Sequence, residues 1–371
     1  MEETCQKQYL LQHLLYFLLY LLIFIANISK ALANPTASNK SATAVIVFGD
    51  STVDPGNNNY VKTIFRANFL PYGKDFANHV PTGRFSNGQL TTDFIASYMG
   101  IKQSVPPYLD PTLSTEELMT GVSFASAGSG FDPLTPKISN VVDIPKQMEY
   151  FKEYKKRLES AIGKQKTENH INKALFIVSA GTNDFVVNYF TLPMRRKTYS
   201  IPAYQHFILE TAIQFVQDLF DQGARRILFV ALPPMGCLPV VITLFSGHAI
   251  SERGCIDYYS SVGREFNILL QNELNLMQTR LASHGVKIFT IDAYGVMTDM
   301  IQGQGRSAFD EVNSGCCGTG YMEAGLLCNR KSFLCPDASK YVFWDSIHPT
   351  EQAYYNVFKS IRPIIDILSR D

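Results

Sequence analysis

Apolar residues fall into two patterns that alternate along the chain. One is a short, continuously apolar run, which occurs at residues 44–48, 174–179, 227–232 and 286–291. Such runs are typical of parallel strands that are covered on both faces. The other pattern places apolar residues on one face of a helix, at residues 203–220, 265–281 and 353–368. The alternation predicts βαβ units and an α/β fold, a three-layer α/β/α sandwich with a central parallel sheet.

The N-terminal segment differs from the rest of the chain. Residues 14–26 form an apolar run too short for a comfortable membrane span, and the small-x-small sequence Ala31-Leu32-Ala33 follows it. This arrangement predicts a secretory signal peptide over residues 1–33 and a mature domain over residues 34–371. An uncleaved signal anchor is the alternative, but no polar stop-transfer pattern follows. We therefore expect a secreted protein with no stable membrane span after cleavage.

Composition limits the classes of function. The 371 residues include 33 basic and 33 acidic side chains, so the formal net charge is zero, and 46% of residues are hydrophobic. The hydrophobic content excludes a disordered polyelectrolyte. A neutral chain has no basic excess with which to neutralise phosphates, which argues against a nucleic-acid partner. It also offers no steering of an anionic substrate.

The cysteines indicate disulfides. Cys5 falls in the predicted signal peptide, which leaves six: Cys237, Cys255, Cys316, Cys317, Cys328 and Cys335. An even number in an oxidising compartment predicts up to three bridges. The first two cysteines can close one local loop and the other four can staple residues 316–335, but the spacing leaves the pairing open. A metal site is disfavoured because paired C-x-x-C spacing and interleaved histidines are absent from the sequence. One sequon of the mature chain, at Asn39, is a candidate glycosylation site.

Polar residues follow two of the predicted strands, where ligands bind in open α/β sheets. Ser51 comes after the first strand and Gly49, although Asp50 or Ser51 could instead cap a helix. Asn183 comes after the second strand, where its amide can donate to a developing oxyanion; an ordinary Asn-Asp turn is the alternative. The glycine-rich run at residues 121–130 is predicted to pass from a strand into a loop. Its backbone N–H groups can approach a ligand closely, and it matches neither phosphate-binding glycine motif.

The strongest local signal lies near the C-terminus. His348 is the one histidine that follows an aspartate, Asp345, by three residues at the start of a predicted helix. The aspartate can fix the tautomer of the imidazole, whose other nitrogen can take a proton from a serine. Considered alone, Asp345 could be a solvent-exposed aspartate at a helix start, and His348 could be a histidine whose ring is hydrogen-bonded for structural reasons. We expect the other histidines of the mature chain on the surface: His79, His170, His206, His248 and His284.

Taken together, these segments resemble the plant GDSL esterase/lipase family of the SGNH-hydrolase superfamily. Four blocks carry the resemblance, in family order: residues 48–58, 121–130, 181–184 and 345–350. Shorter family-like stretches occur at residues 71–73, 83–88, 232–237 and 341–344. Ser123 departs from the family, which usually has asparagine there. The family does not use this position for catalysis, so the departure does not argue against activity. The sequence contains no G-x-S-x-G elbow, which argues against an α/β-hydrolase lipase.

The resemblance implies a flavodoxin-like SGNH-hydrolase fold over residues 34–371 and a serine esterase or lipase mechanism. Ser51 would be the nucleophile, His348 the general base and Asp345 the residue that orients His348. No metal or organic cofactor is implied. The expected location is extracellular, in the cell wall.

The resemblance also implies an oxyanion hole. Its donors would be the N–H of Ser51, the N–H of Gly128 and the side-chain amide of Asn183, although Gly130 could serve instead of Gly128. We further expect the disulfides to brace the C-terminal region that delivers the base to Ser51.

Three functions are compatible with the sequence. The first is hydrolysis of a small-molecule or lipid ester. The second is acyl transfer by the same triad, and the third is a non-catalytic secreted binding protein. The presence of every triad residue favours an enzyme. The sequence leaves the acyl-chain length, the physiological substrate and the oligomeric state open.

Overall fold

A four-stranded parallel sheet forms the centre of the protein. A computed structural model describes residues 42–303 and 309–369. The strands lie side by side in chain order: β1 (Val45–Gly49), β2 (Leu175–Ser179), β3 (Arg226–Val230) and β4 (Lys287–Ile291). Each neighbouring pair is parallel. The four predicted strands are therefore confirmed to within two residues at each end.

A further segment extends the sheet beyond β1. The N–H of Val45 donates to the carbonyl of Thr120, and the N–H of Phe124 donates to the carbonyl of Val47. A parallel bridge also joins Val47 and Ser123. This irregular segment follows β1 in the chain but lies on its outer edge, which gives the strand order of flavodoxin-like folds.

Helices flank the sheet, as predicted. They are α1 (Thr91–Tyr98), α2 (Thr115–Met119), α3 (Leu134–Ser139), α4 (Ile144–Ile162), α5 (Lys164–Lys173), α6 (Pro193–Thr198), α7 (Ile201–Asp221), α8 (Pro239–Phe245), α9 (Asp257–Arg280), α10 (Ala293–Ile301) and α11 (Glu351–Leu368). A π-helical segment, Asp184–Thr191, follows β2. The three helical stripes seen in the sequence fall on α7, α9 and α11. None of the helices in the described ranges is long and apolar enough to cross a bilayer.

The sheet and helices share one apolar core. The ring of Phe48 on β1 lies 5.6 Å from that of Phe151 on α4 and 5.4 Å from that of Phe215 on α7, measured between centroids. All five residues of β1 and of β2 are buried. Continuous burial explains why these strands are apolar at every position rather than at alternate ones.

A second, smaller unit of structure lies near the C-terminus. Strands β5 (Glu311–Gly315) and β6 (Tyr341–Phe343) pair in parallel. Three disulfides are present: Cys237–Cys255, Cys316–Cys335 and Cys317–Cys328. This confirms the predicted bridges and gives the pairing that the sequence left open. Cys316, Cys317 and Cys328 form a separate apolar cluster with aromatic residues that include Tyr72, Phe85 and Trp344.

One expectation about the histidines is wrong. His170 is only 8% exposed, and burial lowers the pKa of its imidazole. It shares the inner face of α5 with Thr167 and Ile171, the residues three before it and one after it. The predicted signal peptide at residues 1–33, with Cys5, and the sequon at Asn39 lie outside the described residues.

Candidate active site

Ser51 lies at the carboxyl end of β1, on a tight turn after Gly49. Gly49 has a φ of 141°, and a Cβ there would lie 1.9 Å from the carbonyl oxygen of Ser179, so the turn requires glycine. Asp50 closes the turn, because its Oδ1 accepts hydrogen bonds from the N–H and hydroxyl of Thr52. Burial raises the pKa of Asp50 to about 6. No helix of the described residues begins at this turn, so the helix-capping alternative considered for Asp50 and Ser51 is wrong, and the Ser51 hydroxyl is left for another partner.

That partner is His348. The Nε2 of His348 lies 2.8 Å from the Oγ of Ser51, although 297 positions separate them in the chain. On the other side of the ring, Nδ1 lies 2.7 Å from Oδ2 and 2.9 Å from Oδ1 of Asp345. Asp345 is fully buried, and Ser51 and His348 are 7% and 4% exposed. The structure therefore brings the three predicted residues into one hydrogen-bonded chain.

The loop between β6 and α11 presents His348 and Asp345. Oδ1 of Asp345 accepts hydrogen bonds from the N–H groups of Ile347 and His348, which closes a tight turn. The N–H of Trp344 donates to the carbonyl of His348 at 2.7 Å. The side chain of Thr350 then caps α11 by accepting from the N–H three residues on. These local bonds explain why an aspartate three residues before a histidine can hold its ring.

Two aromatic side chains with no predicted function contact this loop. The hydroxyl of Tyr72 donates to Oδ2 of Asp345 at 2.7 Å. The ring of Phe85 lies 4.8 Å from the imidazole of His348 between centroids. Both residues occur in stretches noted above only as family-like. No spacing rule could have found them, because the contacts join positions more than 260 residues apart.

Gly128 and Asn183 line the same cavity as Ser51 and His348. Asn183 comes just before the π-helical segment, and its Nδ2 donates to the carbonyl of Ser129 at 2.9 Å, which leaves a second N–H of the amide. Within the described residues, the N–H groups of Ser51 and Gly128 donate to no protein acceptor. Three donors of the expected kinds are thus available at one cavity.

Gly130 is placed differently from Gly128. It does not line this cavity, and a Cβ on it would lie 2.3 Å from Oδ1 of Asp184. Gly128 has a φ of 87°, and a Cβ there would lie 2.9 Å from the side chain of Ser139. Of the two glycines considered for the oxyanion hole, the geometry favours Gly128.

The first sequence block holds the glycine-rich run in place. Asp54 accepts hydrogen bonds from the N–H groups of Gly56 and Asn57 through Oδ1, and from the N–H of Ala127 through Oδ2. Burial raises the pKa of Asp54 to about 6. The hydroxyl of Ser123, the residue that departs from the family, donates to the carbonyl of Val53 at 2.9 Å. Ser123 therefore helps to bind the two blocks together without lining the cavity.

Asp184 joins the same run to the segment that carries Asn183. Its carboxylate accepts hydrogen bonds from the N–H of Phe131, the N–H of Asp132 and the hydroxyl of Thr135. Burial, with a smaller contribution from the charge of Asp132, raises the pKa of Asp184 to about 7. The spacing between Gly128 and Asn183 is therefore set by a buried carboxyl group directly after Asn183.

The cavity beside Ser51 is predominantly apolar. Its volume is about 340 Å³, and its apolar lining includes Ile64, Phe65, Val187, Leu326, Leu327 and Ile347. No Asp, Glu, Lys or Arg side chain from the described ranges contributes to the lining. No group of three or more His, Cys, Asp and Glu side chains in those ranges could hold a metal ion. The site is suited to an uncharged, apolar group next to a serine and an imidazole.

Comparison with known proteins agrees with the motifs. The family model for the GDSL-like lipase/acylhydrolase matches residues 45–361. The GDSL esterase/lipase At5g45960 of Arabidopsis thaliana is 60% identical over 326 residues, which cover 88% of this chain and 87% of that protein. A second Arabidopsis thaliana protein, the GDSL esterase/lipase At1g06990, is 47% identical over 327 residues, 88% of this chain and 90% of its own. The chain therefore belongs to the GDSL-like lipase/acylhydrolase family of ester hydrolases, as its sequence blocks predicted.

Proposed function

We propose that the protein is a secreted serine esterase that hydrolyses esters of apolar acyl groups through an acyl-enzyme intermediate. The main support is the continuous chain of hydrogen bonds from Asp345 through His348 to the Oγ of Ser51, with 2.7 Å and 2.8 Å between the bonded atoms. This chain ends at the wall of the apolar cavity. Such an arrangement activates a serine hydroxyl for attack on a carbonyl carbon.

Acylation uses His348 first as a base and then as an acid. The Oγ of Ser51 attacks the ester carbonyl while Nε2 of His348 takes the hydroxyl proton, and Asp345 stabilises the imidazolium that forms. The imidazolium gives the proton to the alkoxy oxygen as the carbon–oxygen bond breaks. The alcohol leaves, and the acyl group remains on Ser51.

Deacylation repeats these proton transfers with water. His348 takes a proton from the water molecule that attacks the acyl carbon, and it then returns a proton to the Oγ of Ser51. The carboxylic acid leaves and the free serine is restored. An alcohol that replaced water at this step would make the enzyme an acyltransferase.

The negative charge that develops on the carbonyl oxygen needs donors. We assign this function to the N–H groups of Ser51 and Gly128 and to the second N–H of the Asn183 amide. The first N–H of that amide is held by the carbonyl of Ser129, so the side chain is already oriented before substrate binds. Donors fixed in this way stabilise a transition state without reorganisation.

The cavity and the disulfides support the substrate class and the location. An apolar lining without charged side chains favours the acyl part of a neutral ester over an anionic substrate. The three disulfides fit an oxidising compartment. Together with the signal peptide predicted for residues 1–33, they support secretion.

Turnover of p-nitrophenyl esters of graded chain length tests this proposal. We expect hydrolysis to increase from acetate towards medium chains, by up to about fourfold for each methylene that the cavity buries. Ser51→Ala is the control for background hydrolysis. Equal rates for the wild-type and Ser51→Ala proteins would contradict the esterase proposal, and ester exchange with an added alcohol at the expense of free acid would favour acyl transfer.

A further inference from the structure

Tyr72 lies between two parts of the site and is fully buried. Its hydroxyl donates to Oδ2 of Asp345 at 2.7 Å and accepts a hydrogen bond from the N–H of Gly325 at 2.8 Å. Burial and the charge of Asp345 raise the pKa of Tyr72 well above its usual value. The hydroxyl therefore keeps its proton and remains a donor to the carboxylate.

The ring of Tyr72 is fixed by other aromatic side chains. Its centroid lies 5.8 Å from that of Phe69, 5.7 Å from that of Phe85 and 6.3 Å from that of Trp344. Phe85 also packs against the imidazole of His348. Because the ring has no room to turn away, the hydroxyl has a fixed position relative to the loop that carries the triad.

The two oxygens of Asp345 have different partners. Oδ1 accepts from two backbone N–H groups, those of Ile347 and His348, as well as from the imidazole. Oδ2 is the oxygen nearer to Nδ1 of His348, and Tyr72 is its one other donor within the described residues. The tyrosine hydroxyl thus controls the orientation of the oxygen that holds His348.

The other bond of the hydroxyl reaches the substrate cavity. Gly325 lines that cavity together with Leu326 and Leu327, whereas Tyr72 itself does not. Gly325, Leu326 and Leu327 lie within the loop that the Cys317–Cys328 disulfide closes. One hydroxyl therefore connects the cavity wall to the carboxylate of the triad.

We infer that Tyr72 is a positioning residue, which holds Asp345 in line with His348 and fixes the adjoining cavity wall. The inference rests on the proposed function, because Tyr72 acts only through Asp345 and Gly325. It adds a fifth side chain to the four that the sequence motifs identify, those of Ser51, Asn183, Asp345 and His348.

Tyr72→Phe tests the inference, since it keeps the buried ring and removes only the hydroxyl. We expect kcat to fall by about tenfold or more, which is the loss typical of a hydrogen bond to a charged group. We also expect the acid limb of the pH profile of kcat/KM to move to higher pH. The backbone N–H groups of Ile347 and His348 still keep the Asp345 carboxylate beside the ring, and with one donor fewer this carboxylate holds the protonated imidazole of His348 more strongly.

Other titratable groups near the triad stay unchanged in this variant. Asp50, on the turn after β1, interacts electrostatically with His348. Tyr354, on α11, interacts in the same way with Asp50 and Asp345. A shift of the acid limb in Tyr72→Phe therefore reports the lost hydroxyl rather than an altered neighbour.

Tyr154→Phe is the matched control. Tyr154 is also fully buried, and its hydroxyl donates to the carbonyl of Leu118 at 2.9 Å, away from the site. We expect this variant to lose some thermal stability and to keep the wild-type kcat and pH profile. A Tyr72→Phe protein with wild-type kcat, or with lowered kcat and an unmoved acid limb, would overturn the inference.

Asp345→Asn separates this failure from a failure of the proposed function. If the wild type hydrolyses esters and Asp345→Asn is strongly impaired while Tyr72→Phe is not, only the inference about Tyr72 is overturned. An inactive wild type, or a fully active Asp345→Asn protein, would overturn both proposals.

Discussion

Asn183 supplies the one side-chain donor of the proposed oxyanion hole. We expect Asn183→Ala to lower kcat by a hundredfold or more, because such a donor contributes about 3–4 kcal/mol to transition-state stabilisation. The same change removes a hydrogen bond to the carbonyl of Ser129, at a cost of about 1 kcal/mol in the free energy of unfolding. Steady-state kinetics and thermal unfolding measure the two effects separately.

Asn267→Ala controls for the structural part of this effect. Asn267, on α9, bonds the N–H and the carbonyl of Leu232 through its side-chain amide and lies outside the cavity of Ser51. We expect a similar or larger loss of thermal stability with little change in kcat. Similar kcat values for Asn183→Ala and the wild type would remove Asn183 from the oxyanion hole.

At the scale of single residues, the sequence was informative where chemistry is concentrated in short motifs. Ser51, Asp345 and His348 could be predicted because the residue types, and the spacing of the last two, suit a triad. Tyr72 could not be predicted, because its function depends on a contact with a residue 273 positions away. The burial of His170 is unpredictable for a related reason, since the side of α5 that faces the core is set by tertiary packing.

Among the larger elements, the disulfide-bonded loop of residues 316–335 has the closest connection to the site. The N–H groups of Cys316 and Cys317 donate to the carbonyls of Phe343 and Trp344, directly before Asp345. The loop closed by Cys317 and Cys328 also carries Leu326 and Leu327 of the cavity wall. This geometry supports the expectation that the bridges brace the region that delivers the base.

Removal of one bridge tests that expectation. We expect the double variant Cys317→Ser/Cys328→Ser to lower kcat/KM for medium-chain esters by about tenfold, because its loop gains conformational freedom. Far-UV circular dichroism should stay close to that of the wild type, since the central sheet carries none of these cysteines.

The double variant Cys237→Ser/Cys255→Ser is the matched control. It removes a bridge whose cysteines do not line the cavity, and we expect a smaller effect on kcat/KM. A fully active protein without the Cys317–Cys328 bridge would contradict a bracing function for that loop.

The elements of the fold were predictable to different degrees. The strands β1 to β4 were found because burial on both faces demands apolar residues at every position. The glycine-rich run is predicted to pass from a strand into a loop, and its first part does pair with β1. Its strand character is weak in the sequence, because its glycines and serines lack the β-branched side chains typical of strands. The apolar pattern does not reveal helix α4, since its buried positions alternate with many charged ones.

The whole molecule gathers distant blocks at one edge of the sheet. Ser51 and Asn183 follow β1 and β2, whose carboxyl ends meet because the strands are parallel and adjacent. Gly128 follows the irregular segment on the other side of β1. His348 arrives from the C-terminal loop. The fold class therefore explains why four separate sequence blocks contribute to one site, and it made their convergence predictable before their distances were known.

The zero net charge of the whole molecule agrees with the uncharged lining of the cavity. The whole chain has equal numbers of acidic and basic side chains, and the cavity lining described above is uncharged. Neither the molecule nor the site attracts an anion over long range. A neutral ester is the substrate that fits both observations.

Covalent labelling tests the central claim, that Ser51 is a nucleophile activated by His348 and Asp345, most directly. The purified protein would be treated with an alkyl fluorophosphonate, and the adduct would be located by intact-mass and peptide mass spectrometry. We expect one adduct on Ser51 in the wild type, much slower labelling in His348→Ala and none in Ser51→Ala. An adduct on another residue, or labelling of Ser51→Ala at the wild-type rate, would contradict the account.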